Sequence, residues 1–271
     1  MITRALVLAL QLLLATVAAA SAASAQEKPA QTYQPKDGQE GKDVVWVPTP
    51  QALVDKMLDM AKVTAKDYLI DLGSGDGRIV ISAAKLGAKA LGVEYNPDLV
   101  ELSKRAAAKA GVSERARFIK EDLFKTDLSQ AQVISMFLLS TLQRRLRPKL
   151  LGLKPGTRIV ANTFDLGEWQ PEQTFTLPRC DTWCKAYLWI VPAKVHGVWK
   201  LADGELNIRQ TFQIITGTIK VGTSLNVIEG KLNAEHISFN AGAENYTGRV
   251  TGNRIDGTVS GKKWFATKVG K

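Results

Sequence analysis

Eight residues, Asp71-Leu72-Gly73-Ser74-Gly75-Asp76-Gly77-Arg78, constrain the fold of this chain more than any other stretch. The apolar run Tyr68-Leu69-Ile70 leads in, and Ile79-Val80-Ile81-Ser82-Ala83-Ala84-Lys85 leads out. The order is therefore strand, glycine-rich turn, helix. Glycines there permit backbone angles that a Cβ forbids, and they let a ligand approach the main chain closely. The helix start that follows offers free N–H groups and a positive dipole end to a carboxylate or phosphate. The spacing is Gly73-x-Gly75-x-Gly77, whereas the dinucleotide fingerprint places its third glycine three positions after the second.

Beyond the turn, short apolar runs alternate with helical patterns. The spacing predicts strands at Tyr68–Leu72, Ala90–Glu94, Ala116–Lys120, Gln132–Phe137, Arg158–Asn162 and Tyr187–Val191, and helices over Gln51–Val63, Arg78–Leu86, Pro97–Ala110 and Thr141–Leu151. Thr49 is placed to cap the first helix, with Pro50 at its first position. Alternation at this spacing gives an α/β domain with a mostly parallel, Rossmann-like sheet and helices on both faces. Ligands of such sheets bind at the carboxyl ends of the strands. Glu94 closes the second predicted strand, where a carboxylate can accept both hydroxyls of a ribose, and Tyr95 beside it either covers a flat base or packs on the sheet.

These residues resemble the first motif of the class I S-adenosylmethionine (SAM) dependent methyltransferases. In that pattern Asp71, Gly73, Ser74, Gly75, Asp76 and Gly77 form the cofactor turn. The same resemblance implies that Asp122, after the third strand, bonds the adenine amino group while the backbone of Leu123 contacts the ring. Over Val44 to Pro192 the chain is most similar to the small lysine N-methyltransferases related to those acting on the ATP synthase c-subunit and the adenine nucleotide translocase. The stretches that carry this are Val47-Pro48-Thr49-Pro50, the glycine turn, Gly92-Val93-Glu94-Tyr95-Asn96-Pro97 and Asp181-Thr182-Trp183. The resemblance implies methylation with SAM as cofactor, in-line attack of a neutral amine, a protein lysine or a small molecule as acceptor, and proximity to a membrane. The fourth strand, Gln132-Val133-Ile134-Ser135-Met136-Phe137, lacks the Asn-Pro-Pro-Tyr or Asp-Pro-Pro-Tyr amine motif of some relatives. The catalytic base is thus unassigned, and Phe137, Thr163 and Trp183 are candidates either for the acceptor channel or for the core.

The two ends of the chain have a different character. Residues 1–25 carry Arg4, an apolar stretch from Ala5 to Ala20 and Ala23-Ser24-Ala25 before Gln26, the pattern of a cleaved secretory leader. The alternative is a retained membrane anchor; either places the domain outside the cytoplasm, periplasmic or secreted. Residues 26–43, rich in Pro, Gln, Lys and Gly, read as a flexible linker, followed by a methyltransferase domain over 44–192. From 193 to 271 glycine and threonine become frequent and short alternating strands replace helical periodicity, giving a small all-β antiparallel domain. Gly217, Gly230, Gly248 and Gly257 are expected as turn glycines, each leading a strand. This tail resembles small lipocalin-like β modules through Tyr246-Thr247-Gly248-Arg249-Val250, Ile255-Asp256-Gly257-Thr258-Val259 and Trp264-Phe265-Ala266.

The net charge of +10 admits nucleic acid or an anionic surface as partner, but no arginine-rich run or aromatic-interleaved basic patch accompanies it, so no nucleic acid is expected. Cys180 and Cys184 fall short of a zinc site, and export leaves a disulfide between them open. His196 and His236 stand apart from any carboxylate or cysteine pattern. The sequence thus supports an exported SAM-dependent methyltransferase. A binding module for SAM or a nucleotide without turnover, and a methyltransferase of small molecules or lipids, are the competing readings.

Overall fold

The structure is a computed structural model that describes residues 33–270; the expected leader and the first part of the linker lie outside the described residues. The elements run α1 (Gln51–Met60), β1 (Tyr68–Leu72), α2 (Arg78–Lys85), β2 (Lys89–Glu94), α3 (Pro97–Lys109), β3 (Ala116–Lys120), β4 (Val133–Met136), α4 (Ser140–Leu151), β5 (Arg158–Asn162), β6 (Gln173–Thr176) and β7 (Lys185–Ile190). The strands form one sheet in the order β3-β2-β1-β4-β5-β7-β6. Those from β3 to β5 are parallel, and β7 and β6 complete the sheet antiparallel. Chain order reverses between β1 and β4, which places the topological switch point directly beyond the glycine turn.

Each face of the sheet has its own core, as a period of two along buried strands requires. Leu69, Val133, Val160 and Leu188 turn to α1, α2 and α3, where Leu53, Met57, Val80 and Val100 meet them. Ile70, Leu72, Ile134, Met136, Ile159 and Trp189 face the other way, against Leu146 and Leu150 of α4 and against Trp169. The predicted helices match to within a few residues, but Thr49 is no cap. Helix α1 begins at Gln51 after an extended Pro50, without a side-chain cap. Thr49 is buried, with its Oγ1 accepting from Asn162 Nδ2 (3.1 Å) and its carbonyl from Arg78 Nη1 (2.7 Å), so both of its oxygens are engaged in tying the segment to the sheet and turn. Strand β6 escaped the sequence reading because Gln-Thr-Phe-Thr is an edge strand with no buried residue and so no apolar period.

The remaining strands, β8 (Gly197–Leu201), β9 (Gly204–Thr211), β10 (Ile214–Val221), β11 (Ser224–Asn233), β12 (His236–Ala241), β13 (Glu244–Thr251), β14 (Arg254–Val259) and β15 (Lys262–Lys268), form a closed antiparallel barrel. Closure comes from β15 pairing with β8, Thr267 opposite Lys200 and Lys268 opposite Trp199. Trp199, Leu206, Ile208, Ile228, Phe239 and Ile255 fill the interior, so this small barrel is a packed core. The four glycines expected in turns lie inside strands instead. A Cβ on Gly217, Gly230 or Gly257 would come within 1.9, 2.1 and 1.9 Å of a carbonyl oxygen on the next strand, so glycine is what lets the strands bend tightly together there. Four of the seven hairpins turn at Gly222, Gly242, Gly252 and Gly261, all with positive φ.

Candidate active site

Gly73, Gly75 and Gly77 have φ of +78°, +54° and +80°, angles that any side chain would strain. The turn is laced to β2, since the N–H groups of Gly73 and Ser74 both donate to the Val93 carbonyl (2.9 and 3.0 Å). Gly77 starts α2 so close to its neighbours that a Cβ would sit 2.7 Å from the Phe118 ring. Glu94, at the end of β2, reaches back: its Oε2 accepts from the Gly75 N–H (3.0 Å) and its Oε1 from the Asn96 N–H (2.8 Å). The carboxylate is thereby oriented by the backbone of two loops.

Asp71, the penultimate residue of β1, is buried, with Ser135 Oγ donating to its Oδ1 (2.7 Å). Burial pushes its carboxyl up to about 7, against the Ser135 hydrogen bond and with help from Glu94 and Asp76. Asp76 holds the Arg78 guanidinium through Nε (3.0 Å) and Nη2 (2.5 Å), and Arg78 in turn binds the Thr49 carbonyl. Asp122 accepts from the Phe124 N–H (2.9 Å) and from Lys42 Nζ (2.8 Å). The Lys42 hydrogen bond, then the Phe124 N–H, keeps that carboxyl below the usual range. Lys42 also stands 4.5 Å from the centroid of the half-exposed Tyr95 ring.

One cavity of about 390 Å³ joins these groups, a size within the usual range for small-molecule sites. It is lined by Asp71, Gly73, Ser74, Gly75, Asp76, Glu94, Tyr95, Asp122 and Leu123, which come together from the ends of β1, β2 and β3. Gly77 is the exception among the expected residues; it shapes the turn from outside the cavity, against Phe118 and Ser103. Phe137 and Trp183 line the far side, over β4 and β5, together with Phe164. Thr163 does not; its hydroxyl bonds Asn162 Oδ1 (2.8 Å). Cys180 and Cys184 form a disulfide, with Cα atoms 5.8 Å apart.

Residues 39–49 line the cavity too, which the reading of a linker up to residue 43 did not foresee. Gly38 and Trp46 exchange backbone bonds with their neighbours (Gly38 N–H to Trp46 O and Trp46 N–H to Gln39 O, each 2.9 Å), and the Trp46 indole lies against Gly75. A Pro- and Gly-rich composition signals such a strap no differently from a loose tether. Its only sequence signal was the apolar Val44-Val45-Trp46-Val47 run.

The cavity fits SAM on this chain's own terms. Left-handed glycines admit close backbone approach, the buried Ser74 Oγ lacks a hydrogen-bond partner, and two oriented carboxylates stand at successive strand ends. Fold and site together define a class I methyltransferase. A family model for the ANTKMT methyltransferase domain matches residues 71–173. A protein-lysine N-methyltransferase from Saccharolobus islandicus is 40% identical over 151 residues, 55% of this chain and 94% of that protein. The mouse ATP synthase c-subunit lysine N-methyltransferase is 38% identical over 130 residues, 48% of this chain and 52% of that protein, so the match spans about half of it. Among solved structures, an RNA methyltransferase from Salinibacter ruber in complex with S-adenosyl-L-homocysteine is 43% identical, covering 55% of this chain and 96% of that one, with a TM-score of 0.52. The chain belongs to the protein-lysine N-methyltransferase family and uses SAM as its methyl donor.

Proposed function

We propose that this chain methylates a lysine amine of a protein, outside the cytoplasm and close to a membrane. The observation that carries the acceptor is the 40% identity across 94% of the Saccharolobus islandicus protein-lysine N-methyltransferase. SAM supplies an electrophilic methyl group; the chain's residues supply position and surroundings. Glu94 and Asp122 face the cofactor end of the cavity, and the acceptor end lies across the switch point, where Phe137, Leu138, Leu142 and Phe164 make an apolar approach. A lysine drawn into such surroundings loses its proton more readily because desolvation disfavours the ammonium, and holding the amine in line supplies most of the acceleration. Export is supported by the leader-like residues 1–25 and by the Cys180–Cys184 disulfide, which an oxidising compartment preserves.

RNA is the second acceptor to test, because the Salinibacter ruber protein is an RNA methyltransferase. Incubation of the purified protein with methyl-labelled SAM and separated protein, lipid and RNA fractions from its source cells decides between them. Label is expected in the protein fraction, above all from the envelope. Label in RNA or lipid alone would overturn the acceptor proposal. A reporter fused after residue 60 should be active only in its extracytoplasmic form, and activity of a cytoplasmic reporter alone would remove the export proposal.

A further inference from the structure

Residues 38–46 form a loop with a pinned base and a tip that reaches the cofactor end of the cavity. At the base, the Gly38 N–H donates to the Trp46 carbonyl and the Trp46 N–H to the Gln39 carbonyl, each at 2.9 Å. The Trp46 indole lies against Gly75, which fixes that base to the glycine turn. The tip turns tightly at Gly41, where a Cβ would come within 2.3 Å of the Val44 carbonyl oxygen. Lys42 follows, midway between the two pinned ends, and its side chain lines the cavity.

The Lys42 ammonium makes two contacts there. Its Nζ donates to Asp122 Oδ2 (2.8 Å), and it stands 4.5 Å from the centroid of the Tyr95 ring, within reach of a cation–π attraction. Asp43 Oδ2 is farther off, at 3.8 Å. The Asp122 hydrogen bond holds Lys42 above the ordinary lysine value, so it is charged at neutral pH. Asp122 Oδ1 already accepts from the Phe124 N–H (2.9 Å), so with Lys42 in place both carboxylate oxygens are engaged. A purine with an exocyclic amine asks a site for two things, an oxygen that accepts from its N–H and a flat ring face. In the cavity beyond β2 and β3, Asp122 and the half-exposed Tyr95 are suited to give both, and Lys42 holds both.

We propose that Lys42 is an internal occupant of the adenine slot, which the cofactor displaces from Asp122 and Tyr95 in order to bind. This rests on SAM as the occupant of the cavity and is independent of which acceptor is methylated. One side chain thereby sets the affinity for SAM and for the product S-adenosylhomocysteine alike, and reclaims the slot as product leaves. The lock is light, because both partners are partly exposed (34% for Lys42, 23% for Asp122), and such pairs are weak and screened by salt. The tip opens while the base stays pinned. Apparent affinity is lowered by the fraction of molecules whose tip is open, so loosening the lock tightens the cofactor.

The test is a binding measurement on the full chain and needs no turnover. Calorimetric titration with S-adenosylhomocysteine compares the parent with Lys42→Met, which removes the charge at similar length, and with Lys42→Arg, which keeps it. Lys42→Met is expected to bind about three- to tenfold more tightly, the range that a weak ion pair and an exposed cation–π contact supply together. By stopped flow the gain should lie in faster association, with dissociation unchanged, and Lys42→Arg should stay near the parent. Raising salt from about 0.02 M to about 0.5 M should narrow the gap between parent and Lys42→Met, since screening loosens the parent's lock. The ε-methylene proton resonances of Lys42, assigned by their loss in Lys42→Met, should leave the ring-current field of Tyr95 on saturation with S-adenosylhomocysteine. Equal or weaker affinity in Lys42→Met would overturn the proposal, the weaker result making Lys42 a clamp on bound cofactor. Resonances of Lys42 that stay under the Tyr95 ring in the complex would overturn it as well. If parent and Lys42→Met both fail to bind S-adenosylhomocysteine at millimolar concentration, the proposal falls together with the cofactor assignment.

Discussion

Glu94 carries two jobs in one carboxylate. It fixes the glycine turn through the Gly75 N–H and its own loop through the Asn96 N–H, and it faces the cavity. Glu94→Ala removes charge-assisted bonds worth about 1.5–3 kcal/mol each, so S-adenosylhomocysteine affinity by calorimetry should fall at least about tenfold. Unchanged affinity would remove Glu94 from the site. Asp71 makes a prediction with a definite sign. Its carboxyl is raised from 3.8 to about 7 in the fold, so the folded chain holds a proton there that the unfolded chain has released. Its contribution therefore favours folding at low pH and is lost as pH rises from about 4 to about 7. Asp67 has the opposite sign: burial alone would raise it, but Arg158 and Thr64 outweigh burial and hold it low, so its contribution is lost as pH falls. Denaturant titrations across that window should show Asp71→Asn relieved of the high-pH cost that the parent chain bears. At this scale the sequence announced the acidic residues because they stand at strand ends. It did not announce Lys42 on Asp122 or Phe164 beside Trp183, since both contacts join segments far apart in the chain.

The glycine turn shows how an element is specified by what cannot be added to it. Gly77 combines φ of +80° with a Phe118 ring that a Cβ would meet at 2.7 Å. Gly77→Ala should cost about 2 kcal/mol or more, read as a lowered denaturation midpoint, because backbone strain and overlap act together. The central parallel strands β1, β4 and β5 were legible because both of their faces are buried and most of their residues are apolar; helix α3 followed from its period, and the structure adds that Asn96 caps it by accepting from the Asp98 N–H (2.9 Å) ahead of Pro97. Edge strand β6 offered no such run. In the barrel the meander was legible but its glycines were misplaced, because a glycine that relieves a strand bend and one that makes a turn look alike in sequence.

Across the whole molecule, the sheet that carries the site and the barrel meet through specific contacts. Trp169 stacks on Phe212 (6.0 Å between centroids), Gln213 Nε2 donates to the Gln170 carbonyl (2.8 Å), and the Ala193 N–H bonds the Ala234 carbonyl (2.8 Å). The residues lining the cofactor cavity end at Trp183, ahead of the barrel. A chain ending at residue 192 should therefore bind S-adenosylhomocysteine within about threefold of the parent, since its site is intact, while melting at a lower temperature because the Trp169 ring loses its cover. A site lost with the barrel would show that the two modules share one function. Whether this site places methyl groups on protein lysine is decided by amino-acid analysis of labelled envelope protein. With methyl-labelled SAM and the wild-type protein, the label should be recovered as methylated lysine, and with Glu94→Ala it should be reduced at least about tenfold. Label recovered in any other residue, or none in protein while RNA is labelled, would rule out protein lysine as the acceptor.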